Sequence, residues 1–293
     1  MGLLSKIFGK KNVAERKGEP DMVYIPNEDE LMNWAIEKAN LTLWYFEESL
    51  KNPQPHQVYF SVKVKIVIDA HNGEHIWLTD PHFDDEGNLY GIVGNEPVDV
   101  KTVKLDQKIG IDRKLISDWM IIENGKLIGG YTIRAIREDI PDKDKSKFDD
   151  NIGLFIDEGV DYFKADFETP EGAILSLEHA YNHKDMGAAI ACKDFYEEAK
   201  TMLSDIEMEL DEDIINETAE VLKLSFVNNI EENGFPDFTA IRNAFPKRKK
   251  IDDTHWVITE VCWYPDGGKS IQKLNTYKSD LGWKVLGPVT PNP

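Results

Sequence analysis

Apolar spacing along this chain alternates between two periods, and each period permits one kind of element. Met32, Ile36, Ala39, Leu43, Phe46 and Leu50 fall four and three residues apart, which places them on one face of a helix over 28–50. Asn27 is its expected cap, with Glu30 three residues on as capping-box partner and Glu28 and Asp29 at the positive end of the dipole; Asn52-Pro53 and Pro55 end it. The period then drops to two. Val58, Phe60, Val62, Val64, Ile66 and Ile68 alternate with more polar residues, the pattern of a half-buried strand. Asn72-Gly73 turns the chain into 74–79, and Asp85-Glu86-Gly87-Asn88 turns it into 89–93. Shorter strands are expected at 98–103 and 108–111. Another strand at 117–122 leads to the hairpin signal Glu123-Asn124-Gly125, and a last one is expected at 130–137. One helix followed by antiparallel strands is an α+β domain.

The same order then repeats. Thr169-Pro170-Glu171 is a cap followed by proline at the first helical position, and Ala173, Ile174, Leu177, Ala180 and Tyr181 share the face behind it. Asp185 and Asp194 start two more helices, and a fourth runs from 212 to 232 and stops at Asn233-Gly234. Strands follow at 255–264, 270–277 and 283–286, joined by Pro265-Asp266-Gly267-Gly268 and Ser279-Asp280-Leu281-Gly282. The expected organisation is α+β in two domains: a basic leader over 1–26, a helix-plus-antiparallel-sheet domain over 27–138, a charged linker over 139–150, and a domain of helices and then a curled, cone-like sheet over 151–293.

Charge narrows the function. The 293 residues carry a net charge of −20. A field of that sign opposes nucleic acid and anionic membranes and favours basic partners. It is unevenly spread: twelve acidic residues stand against Lys200 and Lys223 from Phe195 to Glu232. The leader is opposite in sign, with Lys6, Lys10, Lys11, Arg16 and Lys17 against Glu15, Glu19 and Asp21, and Leu3, Leu4, Ile7 and Phe8 can form one amphipathic turn. No apolar run reaches the roughly 18 residues of a membrane span. The start has no signal-peptide pattern, and Lys6 stands where myristoylation wants Ser or Thr. Cys192 and Cys262 are far apart and sit in apolar stretches, so two buried free thiols are expected. These features place the chain in the cytoplasm, without stable membrane insertion.

Four ordered segments carry a resemblance. Gly73-Glu74-His75-Ile76-Trp77, Gly91-Ile92-Val93-Gly94-Asn95-Glu96-Pro97, Ile116-Ser117-Asp118-Trp119-Met120 and Gly129-Gly130-Tyr131-Thr132-Ile133-Arg134 resemble the bacterial family catalogued as domain of unknown function 2314, over about residues 28–138. That family implies no activity; its relatives accompany secreted toxin systems, which implies an immunity-type role. The second half is similar to a nuclear transport factor two-like fold. Thr169-Pro170-Glu171-Gly172-Ala173 through Ala180-Tyr181-Asn182-His183-Lys184-Asp185 matches its opening helix and turn, and Gly282-Trp283-Lys284-Val285 its closing strand. That fold hosts isomerases, dehydratases, scaffolds and immunity proteins, so it does not by itself decide function.

Candidate residues follow from both lines. His71, Glu74, His75 and His82 cluster in sequence, but Asn72-Gly73 breaks the helical spacing that zinc motifs use, so they are read as structural or binding groups with no metal. Glu74, His75, Trp77, Asp118, Trp119 and Arg134 are binding candidates. Trp119 is read first as core, with Asp118 capping a turn or pairing with Arg134. Glu207, Glu209, Asp211, Glu212 and Asp213 are candidates for docking a basic partner. Tyr181, His255, Trp256 and Trp263 are pocket candidates in the second half. Glu260, alone inside a strand, is expected to face water. No nucleophile elbow, Walker loop or dinucleotide fingerprint is present, so no catalytic residue is assigned and no cofactor is expected. The functional expectation is a non-catalytic binding protein of immunity type that masks a toxin or other basic protein. The alternative is a small-molecule-binding or isomerase/hydrolase-like enzyme using a pocket in the second half. A third reading, an adaptor held near membranes by the basic leader, rests on the leader alone.

Overall fold

The computed structural model describes residues 13–14, 22–23, 30–69, 72–157, 159–206 and 211–289. The charged residues of the leader, the expected cap over 27–29, and His71 lie outside the described residues. Two short strands, β1 (Val13–Ala14) and β2 (Met22–Val23), pair antiparallel. The chain divides into two units, Met1–Val160 and Asp161–Pro293. Each combines helices with its own antiparallel sheet, so the architecture is α+β in two parts.

Unit 1 carries helices α1 (Glu30–Leu41) and α2 (Leu43–Lys51) and strands β3 (Gln57–Val67), β4 (Gly73–Phe83), β5 (Leu89–Val93), β6 (Lys108–Gly110), β7 (Ile116–Glu123) and β8 (Lys126–Gly129). These six strands run in the order β6-β5-β4-β3-β7-β8. Alternation sets which residues are buried: Val62 and Val64 from β3, Ile76 and Leu78 from β4, and Trp119 and Ile121 from β7 join Ala39 and Phe46 in the core. Each Val, Ile, Leu or Phe among them contributes about 1.5–3 kcal/mol by leaving water. The expected single helix over 28–50 breaks at Thr42. There the Trp119 indole N–H donates to the Ala39 carbonyl at 3.0 Å and to Thr42 Oγ1 at 3.2 Å, and so competes for the helix's own acceptors.

Three other expectations for this unit are corrected. Residues 98–103 form no strand, because the backbone N–H groups of Val98, Asp99 and Val100 donate to the Glu74 carboxylate at 2.9–3.1 Å instead of to a ladder. Residues 130–137 form a helix, α3 (Tyr131–Glu138), not a strand. Buried Asp118 accepts the N–H groups of Tyr131 and Thr132 and the Thr132 hydroxyl, which supplies the partners a helix start requires. The expected linker over 139–150 is largely helix α4 (Asp142–Ile152), fixed to unit 1 by Phe148 in a cluster with Leu127, Ile140 and Ile156. Arg137 adds a forked pair to Asp149 at 2.7 and 2.8 Å.

Unit 2 opens with α5 (Pro170–Asn182), α6 (Met186–Ala191), α7 (Phe195–Asp205) and α8 (Glu212–Asn233). Thr169, Asp185, Asp194 and Asp211 cap these four helices through their side-chain oxygens. The sheet follows as a meander, β9 (Arg242–Lys250), β10 (His255–Trp263), β11 (Lys269–Ser279) and β12 (Gly282–Pro288). Strand β9 has no counterpart in the sequence reading. Five of its nine residues are Lys or Arg and Pro246 interrupts it, a composition tolerated because β9 is an edge strand.

Candidate functional site

Period-two geometry puts Ile258, Glu260 and Cys262 of β10 on one face, and all three are buried. Glu260 therefore does not face water as expected; it is 0% exposed. The β9–β10 register shifts beside it, between Thr259 and Val261, with the extra residue on β9, while β10 keeps its register with β11. Two amides hold its carboxylate. Gln272, directly opposite on β11, donates to Oε2 at 2.6 Å, and Asn243 of β9 donates to Oε1 at 2.8 Å. Asn243 Nδ2 also donates to Glu178 Oε2 at 2.7 Å, which brings a second buried carboxylate in from α5. No hydrogen-bond donor faces the remaining oxygen, Glu178 Oε1. Burial first, and then the charge of Glu260, raises the Glu178 pKa far above the usual carboxylate range. Burial and the same two carboxylates push the Cys262 thiol up to about 12. One oxygen from each carboxylate and Cys262 Sγ lie within 4.8 Å of one another.

Glu178, Glu260 and Gln272 line a cavity of about 470 Å³. Its other walls are mainly apolar and aromatic, including Ile174, Leu177, Tyr181, Phe195, Phe226 and Phe238. Lys193 and Glu198 also line it as an ion pair at 2.9 Å. Lys193 Nζ donates in addition to the Leu286 carbonyl and lies near the Phe195 and Phe226 rings. Burial lowers the Lys193 pKa and raises that of Glu198.

Of the four expected pocket residues, only Tyr181 lines this cavity; burial pushes its hydroxyl up to about 12. His255, Trp256 and Trp263 lie elsewhere. His255 contacts Glu197 at 3.2 Å and Asp252 at 3.1 Å, Trp256 stacks edge-on against Trp283, and Trp263 carries Lys269 near its ring. They miss the cavity because it is built from α5, α7, α8 and the middle of the sheet. Sequence reasoning missed Glu178, although a signal was present: it follows Ile174 by four and precedes Tyr181 by three, an acid on the buried stripe of α5.

The expected binding residues of unit 1 occupy several places. Glu74 holds the 98–100 loop, Asp118 caps α3, and Trp119 is fully buried against Phe46 and Tyr131. Arg134 donates to the carbonyls of Leu127, Gly129 and Asp157 and does not reach Asp118 in any of these bonds. His75 and Trp77 lie beside Lys65 and Lys63 across the β3–β4 ladder. Lys63 is 5.6 Å from the Trp77 ring centroid and donates to Thr132 Oγ1 at 3.2 Å. His75 is exposed as a residue, yet its Nδ1 turns inward to Ser117 Oγ at 2.7 Å. Desolvation of the ring, then the charges of Lys63 and Lys65, lower its pKa to about 4. Glu74 and His75 point to opposite faces, and His82 donates to the Asp80 carbonyl, so these residues do not converge. Asp211, Glu212 and Asp213 are exposed at the start of α8; Glu207 and Glu209 lie outside the described residues.

Fold and site together define a two-part α+β chain whose second unit carries a partly open cavity with paired carboxylates. The chain belongs to the family described as uncharacterized protein conserved in bacteria (DUF2314), which matches residues 29–155 and so includes α3 and α4. A putative ankyrin repeat protein of Neisseria meningitidis serogroup B, NMB1133/NMB1171, is 30% identical over 207 residues, 67% of this chain and 77% of that protein. The uncharacterized protein YegJ of Escherichia coli K12 is 40% identical over 74 residues, 25% of this chain and 47% of its own. No solved structure matches the chain. Among the described residues no helix is long and apolar enough to cross a membrane.

Proposed function

We propose that unit 2 is a small-molecule-binding domain that takes a largely apolar ligand with one polar end. The observation that carries this reading is Glu178 Oε1, buried without a donor on the wall of a cavity whose remaining lining is mainly apolar and aromatic, apart from Glu260, Gln272 and the Lys193–Glu198 pair. An unpaired buried polar atom is costly, and a ligand group that meets it recovers that cost. The volume, about 470 Å³, suits a drug-sized molecule. Helices first, then a sheet that closes a cavity, also agrees with the nuclear transport factor two-like reading of this half. Isomerase- or hydrolase-type turnover is the activity class such a polar end serves.

The test is binding of a neutral, environment-sensitive apolar dye to the whole chain. One dye should bind per chain, and Leu177→Trp, which fills the cavity, should abolish the signal while leaving the melting temperature within a few degrees. Equal binding by Leu177→Trp would remove this reading.

A second reading has its own observation. Helix α8 exposes Ile214, Val221 and Leu224 at 38, 65 and 61%, beside Asp211, Glu212, Asp213, Glu217 and Glu220. Exposed apolar residues edged by acids suit a basic protein partner and keep the immunity-type role in cytoplasm as a proposal. Protection in a co-expression toxicity assay, lost when Asp211, Glu212, Asp213 and Glu217 become Lys, supports it. Protection unaffected by that reversal, or absent altogether, counts against it.

A further inference from the structure

We propose that Glu178, Glu260 and Cys262 form a site for one zinc-class divalent cation at the polar end of the unit 2 cavity. The three residues come from α5 and β10, are 7, 0 and 1% exposed, and present donor atoms within 4.8 Å of one another. Two carboxylates placed together away from water require a positive charge between them. A shared proton, carried in the Glu178–Glu260 hydrogen bond, would meet that need without engaging the thiol as a ligand. A cation uses all three groups, and Glu178 Oε1 is the oxygen without a donor.

The surroundings fit an outer shell. Asn243 holds Glu178 Oε2 and Glu260 Oε1, and Gln272 holds Glu260 Oε2, so side-chain amides orient both carboxylates while each oxygen keeps a lone pair. A mixed sulfur and oxygen set selects zinc-class ions over magnesium or calcium, which take oxygen ligands. Three protein donors leave a fourth tetrahedral position open, as in catalytic zinc sites. Binding would release the thiol proton and any proton on Glu178. Cation binding does not depend on the small-molecule reading. Its role does: opposite a bound ligand, the ion would hold a hydroxide at the open position, which favours hydrolysis over isomerisation.

The experiment uses the whole chain, stripped with chelator and dialysed, and titrated with Co²⁺ as a spectroscopic substitute for Zn²⁺. One equivalent should bind with a near-ultraviolet thiolate-to-cobalt band that Zn²⁺ abolishes. The band should persist in Cys192→Ser, whose thiol is the other free one, and vanish in Cys262→Ser. Glu178→Gln and Glu260→Gln should weaken binding beyond about 100-fold, and Asn243→Ala by about 10–100-fold as an outer-shell loss. Far-ultraviolet dichroism confirms that each variant folds; Cys262→Ser, the smallest change, decides the matter if a carboxylate variant does not. Lack of stoichiometric binding, or a band that survives Cys262→Ser, overturns the site and leaves a proton between the carboxylates. Loss of dye binding with the cobalt band intact removes only the small-molecule reading; the converse result removes only the cation.

Discussion

Glu171 and Arg248 meet through two parallel hydrogen bonds, Nε to Oε1 at 2.5 Å and Nη2 to Oε2 at 2.7 Å, with side chains 0 and 9% exposed. The pair ties the first turn of α5, the helix that carries Glu178, to edge strand β9, the strand that carries Asn243. It thereby fixes the separation of two elements that build the cavity. Removing one partner leaves the other charged and buried. Arg248→Met should lower unfolding free energy by about 3–5 kcal/mol. The double variant Glu171→Leu/Arg248→Met should cost clearly less than the sum of the single changes. Chemical denaturation of the three variants measures the coupling; additive losses would mean the pair does not act as a unit.

Gly129 adopts φ of 68° at the turn from β8 into α3, and a Cβ there would lie 2.4 Å from the Trp119 carbonyl oxygen and 2.6 Å from its ring. Both the backbone conformation and the space exclude a side chain. Gly129→Ala should destabilise unit 1 by more than about 1 kcal/mol. Gly125, with φ of 75° but open space around it, isolates the backbone term. Gly125→Ala should therefore cost less than Gly129→Ala in the same unfolding measurement, and equal losses would contradict the close approach to Trp119.

His75 binds its proton less readily in the folded chain, at about 4 against an ordinary 6.5, because its ring is desolvated and faces Lys63 and Lys65. A lowered folded-state value means the unfolded chain takes up more protons as pH falls. The contribution of His75 is therefore complete above pH 6.5 and is lost progressively as pH drops toward about 4. Unfolding free energy measured across that window should fall more steeply in the natural chain than in His75→Gln. Parallel profiles would show that His75 is not the group responsible.

Period and punctuation alone determined most of the element order, though not β9 or α4. The helical spacing before Leu50, the alternation after Val58, and the caps Thr169, Asp185 and Asp194 are local signals, and local geometry answers to them. Tertiary contacts decided the exceptions. Residues 130–137 became a helix because Asp118, more than ten positions away, accepts its first N–H groups. Residues 98–100 stayed out of the sheet because Glu74 accepts theirs. The cavity is the strongest case. In sequence Glu260 is one acid in a strand, and Glu178 one acid in a helix. They become a pair where α5 packs on the sheet, and Asn243, 65 residues from one and 17 from the other, donates to both. Spacing along a chain reports which face a residue takes. Which distant residue meets it there depends on how the elements pack, and that is where this site arises.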